Sequence, residues 1–223
     1  PEKQVAVTDV MALLRQTYEG TKWDVTKNLK VTVKERGSQK VDTIISPKAN
    51  PWMRPDEIKM LKGIKDDAVT QVRNIAVPQC AYSTVIQLRS WLPDAVGGVV
   101  WFSLDNPGQS PRVPVFPALF DICGNHRYRD DAALWHYREA NKLAATKWGT
   151  YRKVMEKNIK HFEDKGQREL PFVEATYKQI LAEKGEDAAR DFLTGYTSDF
   201  FGATIVRWDE MTRDYWIQSR FGL

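Results

Sequence analysis

VPQCAYSTVIQLRSWLPDAVGGVVWFSLDNPGQSPRVPVFP, residues 77–117, is the stretch from which the fold can be read. Residues 73–91 alternate as a strand does, because successive strand side chains point to opposite faces. Ala81, Ser83, Val85, Gln87 and Arg89 fall in one row; Tyr82, Thr84, Ile86, Leu88 and Ser90 fall in the other. Both rows mix size and polarity, which predicts a sheet covered on both faces, one of them holding a polar site. Leu92-Pro93-Asp94 through Gly97-Gly98 is a hairpin-length connection. Val99 to Leu104 is β-branched and aromatic, hence a second strand. Asp105-Asn106-Pro107-Gly108 is a turn, and Val113 to Phe116 is a short third strand limited by prolines.

Upstream, residues 5–18 read as a helix with Val10, Leu13, Leu14 and Tyr18 on one face, Thr8 or Asp9 as cap and Gly20 as stop. Residues 29–35 alternate as a short strand, and GSQK is a turn. Residues 42–63 hold three X-Pro steps, which predicts an irregular loop, with Asp56 capping a short helix that ends at Gly63. Downstream, the sequence from Asp130 is helical almost throughout. Trp148, Tyr151, Met155, Ile159 and Phe162 recur at helical spacing, and Gly149 marks a bend or break. Pro171 is placed to start a new helix, and two further helices are expected over 186–193 and 200–221. The change near 124–130 divides a sheet-containing part, 1–129, from a helical region, 130–223, packed on it as one structural unit.

The 223 residues carry a net charge of +4, with 42% hydrophobic and 28% charged residues. Lys and Arg are interleaved with Asp and Glu, so a mixed solvated surface is expected in place of a nucleic-acid stripe. Lys142, Lys147, Arg152, Lys153, Lys157 and Lys160 alternate with Glu139 and Glu156 in the same way. No apolar run approaches the ~20 residues of a membrane span. Two cysteines make no disulfide framework and leave the compartment open.

A cysteine hydrolase needs a thiolate within reach of a base. Cys80 lies in the strand block and Cys123 is followed by His126, so a Cys80–His126 dyad depends on the fold bringing them together; otherwise both thiols are small packed residues. Cys123-Gly-Asn-His126 offers two metal ligands where a structural zinc site needs four, so no metal or cofactor is expected. Pro1 begins a charged opening, unlike the strand-first start of a proline-base tautomerase. The polar residues of the strand block carry more. Arg89 has the planar fork that grips a carboxylate, and it shares a row with Ser83 and Gln87. Asn106 and Ser110, in the adjoining turn, are placed to support an oxyanion or position a peptide. The structural alternatives are an ion pair at Arg89 and turn-shaping at Asn106 and Ser110.

Three segments carry a resemblance: LLRQTYEGTKWDVTKN (13–28), residues 73–116, and FLTGYTSDFFGATIVRWDEM (192–211). Together they resemble the cysteine-type dipeptidases among the N-terminal-nucleophile hydrolases. The resemblance implies an α+β fold, part of an αββα arrangement of stacked antiparallel sheets between helical layers, with a largely helical C-terminal region. It implies metal-free hydrolysis of dipeptides by a cysteine exposed as first residue, whose α-amine titrates near neutrality and serves as base. Residue 1 here is Pro, and no counterpart of the nucleophile-bearing half is found. The expectation is therefore the C-terminal portion of such an enzyme, inactive alone, whose partners are a dipeptide, the missing half and a second copy of itself. Arg89 and Asn106 are the first candidates for orienting substrate or supporting an oxyanion, Ser83, Gln87 and Ser110 the second. Tyr18, Glu19 and Asp24 belong to a matching block without an assigned role. A non-catalytic binding scaffold and an acylase acting on non-peptide amides stay open beside this reading.

Overall fold

The computed structural model describes residues 4–34, 37, 39–70, 72–116 and 132–220. Eleven elements lie among them, making an α+β fold of helices and two separate antiparallel sheets. The first helix, α1 (Val7–Leu14), is shorter than the sequence predicts. Its first turn is closed by the Asp9 carboxylate, which accepts the Ala6 N–H at 2.9 Å. The buried face is Met11, with Val7, Val10 and Leu14 beside it, while Leu13 points outward. Tyr18 stands beyond the helix with φ 60°, a left-handed conformation that costs a non-glycine residue energy.

β1 (Lys30–Lys34) pairs with β2 (Val41–Ile45) in a two-stranded ribbon exposed on both faces. β2 falls where an irregular loop is expected; its VDTII run is β-branched enough to pair once β1 supplies an edge. α2 (Pro55–Ile64) follows, starting on its proline. Glu57, and not Asp56, reaches back to the Arg54 N–H at 2.7 Å.

The organising sheet has the order β3-β4-β5, from β3 (Tyr82–Leu88), β4 (Gly98–Leu104) and β5 (Val113–Val115), all antiparallel. Residues 73–81, expected as strand, are turns and coil. A four-residue helical turn, α3 (Asp94–Gly97), carries the chain from β3 to β4. Gly97 is required there, because a Cβ would stand 2.9 Å from the Arg89 carbonyl oxygen. The register pairs Ser83 with Ser103, Val85 with Trp101 and Gln87 with Val99 on the inner face. Val85, Val99 and Trp101 are buried there with Met11, Leu170, Val173, Tyr177 and Leu193. The outer face differs from expectation. It is buried on the β5 side, at Val113 and Val115, and bare along β3, where Tyr82, Ile86 and Leu88 are 62, 63 and 77% exposed.

Three helices complete the molecule: α4 (Ala133–Thr146), α5 (Trp148–Lys184) and α6 (Glu186–Arg220). The break expected near Gly149 falls at Lys147. Two expectations are overturned. Pro171 lies inside α5, and the two helices expected over 186–221 are one. Trp148, Tyr151, Met155, Ile159 and Phe162 do form one buried face, packed on Tyr137, Phe200, Trp208 and Tyr215. None of the described helices is long and apolar enough to cross a membrane.

Candidate functional site

From Ser103 to Phe116 every residue is buried. A loop that deep must satisfy its polar groups internally, and this one does so with side chains. Asp105 adopts φ 60°. Its carboxylate accepts Arg138 Nε at 2.7 Å and Asn141 Nδ2 at 2.9 Å. Asn106 Oδ1 accepts the Gly108 N–H at 3.0 Å, and its Nδ2 donates to Gln109 Oε1 at 2.9 Å. Gln109 Nε2 donates to the Asn141 carbonyl at 2.8 Å, and Ser110 Oγ accepts Asn141 Nδ2 at 2.9 Å. Asn141 Oδ1 accepts Trp208 Nε1 at 3.2 Å. The loop is thus bolted to α4 and α6 by a closed amide–carboxylate network. Asn106 and Ser110 are brought together in it, both with their side-chain atoms engaged.

The inner row meets the helices. Ser83 Oγ accepts Arg112 Nη2 at 3.1 Å, and Gln87 Oε1 accepts Trp101 Nε1 at 3.1 Å. Arg89, just beyond β3, pairs through Nη1 with Glu174 of α5, and its Nη2 donates to the Val96 carbonyl at 2.6 Å. Its guanidinium therefore already holds a carboxylate.

Sequence reasoning missed a second charged centre. Arg112 is wholly buried, and Glu163 Oε1 accepts both its backbone N–H, at 3.0 Å, and Arg15 Nη2, at 2.5 Å. Burial, then the neighbouring Arg15, pushes the Arg112 guanidinium down to about 10 against the pull of Glu163. The available signal was a lone arginine between Pro111 and Pro114 in an otherwise uncharged run, Asn106 to Phe116.

The 13–28 block gathers around Glu19. Its Oε1 accepts Trp148 Nε1 at 3.1 Å and Arg152 Nη1 at 3.0 Å, and its Oε2 accepts Thr17 Oγ1 at 2.8 Å. Burial outweighs these partners and raises its pKa above 4.5. Asp24 caps the following turn through the Gly20 and Thr26 N–H groups.

Cys80 is free, half-buried, and has no hydrogen-bonded base among the described residues. Cys123, His126 and Pro1 lie outside the described residues. Among the described residues no three His, Cys, Asp or Glu side chains gather to hold a metal. A surface hollow of about 510 Å³ lies at the end of α6, lined by Trp216, Ile217, Ser219 and Arg220. It contains no thiol or carboxylate among those residues.

No curated protein matches the chain. A family match covers residues 1–165, which include both sheets, the buried loop, the Glu19 block and the first half of α5. The third resembling segment, 192–211, lies beyond the match. With nearly three quarters of its length matched, the chain belongs to Peptidase family C69, a family of cysteine-type peptidases.

Proposed function

We propose that the chain is the C-terminal portion of a cysteine-type dipeptidase, and that its nucleophile is a first-residue cysteine on a separate segment that packs against the outer face of β3. The uncovered row carries this proposal. Tyr82, Ile86 and Leu88 stand 62, 63 and 77% exposed on one strand, with Trp91 at 76% just beyond. Apolar side chains at that density in a row mark an interaction surface. Among the described residues β3 is also an edge strand, with one side of its backbone unpaired. A second sheet laid on this face would complete the αββα layering that the resemblance implies.

On this reading the inner row faces the helices and serves the scaffold. Ser83, Gln87 and Arg89 fix β3 to its neighbours, while Asn106 and Ser110 hold the loop at the end of β4. Any oxyanion-supporting or substrate-orienting role they play is exerted by setting those backbone positions. Cys80 is a packed residue and carries no chemistry.

The test is hydrolysis of a dipeptide panel and of N-acylated amino acids, by the chain alone and mixed with the cysteine-first segment encoded before it. Dipeptide hydrolysis that needs both polypeptides, and is abolished by thiol alkylation, is expected. Turnover by the chain alone overturns the proposal. Preference for the acylated amino acids assigns the enzyme to amide substrates other than peptides. Stable association without turnover favours a binding scaffold, for which the same bare row is the motivating observation.

A further inference from the structure

We propose that the β1–β2 ribbon is a membrane-docking arm, whose acid-free face lies on an anionic lipid surface. The proposal rests on the ribbon's charge and exposure and is independent of the dipeptidase reading.

The chain's positive charge is concentrated here. Residues 27–48 carry five lysines and Arg36 against Glu35 and Asp42. The other 27 basic residues of the chain meet 27 acidic ones, so the net charge of +4 belongs to this stretch. Every residue of both strands is exposed. The ribbon is rooted at its foot, where Leu29 packs on Val25, Ala68 and Val69. The Leu29 carbonyl there accepts the Ser46 N–H at 2.7 Å.

The register sorts the two faces. Val31, Val33 and Ile44 share one with Asp42. Lys30, Thr32 and Lys34 share the other with Ile45, Thr43 and Val41, and this second face has no acid among its six residues. Val41 and Ile45 are 55 and 49% exposed, the most exposed apolar side chains of the ribbon. Lys27 Nζ donates to the Lys22 carbonyl at 2.7 Å, which holds the half-exposed Trp23 beside the ribbon's foot. The Lys22 ammonium stands 4.9 Å from the centre of the Trp23 ring.

This composition selects the partner. Aliphatic groups can enter the headgroup boundary of a bilayer, while lysine stems lie along it and keep their ammonium groups on the lipid phosphates. Tryptophan is a residue of the same boundary. Protein interfaces favour arginine and aromatic residues and are depleted in lysine, whereas this face holds lysine and neither favoured kind. A second copy brings the same positive charge and is repelled. The phosphate backbone of a nucleic acid gives Val41 and Ile45 nothing to bury against, and base edges are read chiefly by arginine among the basic residues.

The experiment is co-sedimentation of the chain with sucrose-loaded vesicles of phosphatidylcholine, alone or in a roughly three-to-one mixture with phosphatidylserine. Thermal unfolding is measured in parallel. Binding to the mixed vesicles only, weakened by added salt, is expected. Lys30→Gln with Lys34→Gln weakens it ~25-fold, about fivefold for each lysine. Val41→Ser with Ile45→Ser weakens it several-fold, and Ile44→Ser, on the opposite face, binds as the wild type. All three variants keep the wild-type Tm, because the substituted side chains are exposed. If one of them unfolds, the lipid and salt dependence of the wild type and the remaining variants decide. Equal binding to phosphatidylcholine alone assigns the contact to another apolar face and overturns the proposal. So does undiminished binding by the double glutamine variant, or a loss in Ile44→Ser as large as in Val41→Ser with Ile45→Ser. Binding of polyglutamate or duplex DNA without binding of vesicles assigns the ribbon to an acidic protein or a nucleic acid and overturns it as well.

Discussion

A guanidinium that loses its carboxylate inside a protein keeps its charge, whereas a carboxylate that loses its guanidinium can take up a proton. That asymmetry makes Arg89 testable as a structural residue. The Arg89 and Glu174 side chains are 9 and 17% exposed. Glu174→Ala is expected to lower stability by ~3–5 kcal/mol in urea unfolding, the usual loss for a buried pair with one member removed. Arg89→Met is expected to cost less, and Arg89→Met with Glu174→Leu to recover most of the loss. Equal penalties for the two single variants would contradict the asymmetry. Glu19 gives a pH signature of the opposite sense to a salt-bridged acid. Its folded pKa is raised, chiefly by burial, above an ordinary value of 4.5. The folded state then binds more protons than the unfolded one, so stability falls as pH rises from about the ordinary value through the raised one. Glu19→Gln is expected to flatten that part of a urea-unfolding profile measured between pH 4 and pH 8; an unchanged slope would place the titration elsewhere. At this scale the sequence was a partial guide. Arg89, Asn106, Ser83, Gln87 and Ser110 announce themselves as polar residues in a β-rich block. Their partners, Glu174, Gln109, Arg112, Trp101 and Asn141, come mostly from distant chain positions, which no local pattern displays.

Helix α5 shows where local signals yield to packing. It runs for 37 residues, about 55 Å at 1.5 Å per residue. Pro171 reads as a helix start, yet the buried positions Phe162, Gly166, Leu170, Val173 and Tyr177 continue across it on one face. Burial along that face outweighs the hydrogen bond a proline forfeits. The heptad-like apolar spacing was the stronger signal, and punctuation by proline the weaker. The same holds for α6, whose buried Leu193, Thr197, Phe200 and Phe201 bridge the expected gap. Glycines sort by the same logic. At Gly166 a Cβ would lie 2.9 Å from Trp101 Cζ3 and 3.3 Å from Cη2. Trp101 is fully buried, so the ring has little room to yield. Gly166→Ala is expected to destabilise by ~1–3 kcal/mol despite the better helix propensity of alanine. Gly195, in α6, has nothing within 4 Å of an added Cβ. Gly195→Ala is expected to stabilise by ~0.5–1 kcal/mol. Thermal unfolding of the two variants reads both signs; stabilisation by Gly166→Ala would mean that helix α5 is free to move off the sheet.

At the level of the whole molecule, the division into a sheet followed by helices was legible because the periodicity changes from two to about 3.6. What escaped the sequence was which sheet row the helices choose. Both β3 rows mix polar and apolar residues, and the row holding Ser83, Gln87 and Arg89 looks the more soluble. It is nevertheless the buried one, because Trp101, Gln87, Arg112, Ser83, Arg89 and Glu174 satisfy one another across it. The consequence is an apolar row left in water, and this makes the last prediction. Tyr82, Ile86 and Leu88 lie on β3, whose outer edge has no strand partner among the described residues, and such edges recruit further chains unless charge blocks them. Each is exposed enough that a substitution there should change folding stability by no more than ~0.5 kcal/mol. Leu88→Lys and Ile86→Lys are therefore expected to leave thermal unfolding unchanged and to suppress concentration-dependent association in sedimentation velocity. If the proposed cysteine-first segment docks on this face, they are expected to weaken its capture as well, since a lysine ammonium set in an apolar interface must be desolvated without a partner. A wild-type chain that sediments as a monomer at all concentrations, together with lysine variants that bind the segment unimpaired, would show that the face is left to solvent and that docking uses another surface. Loss of capture with stability intact would instead locate the junction along β3, on the opposite side of the sheet from the polar row.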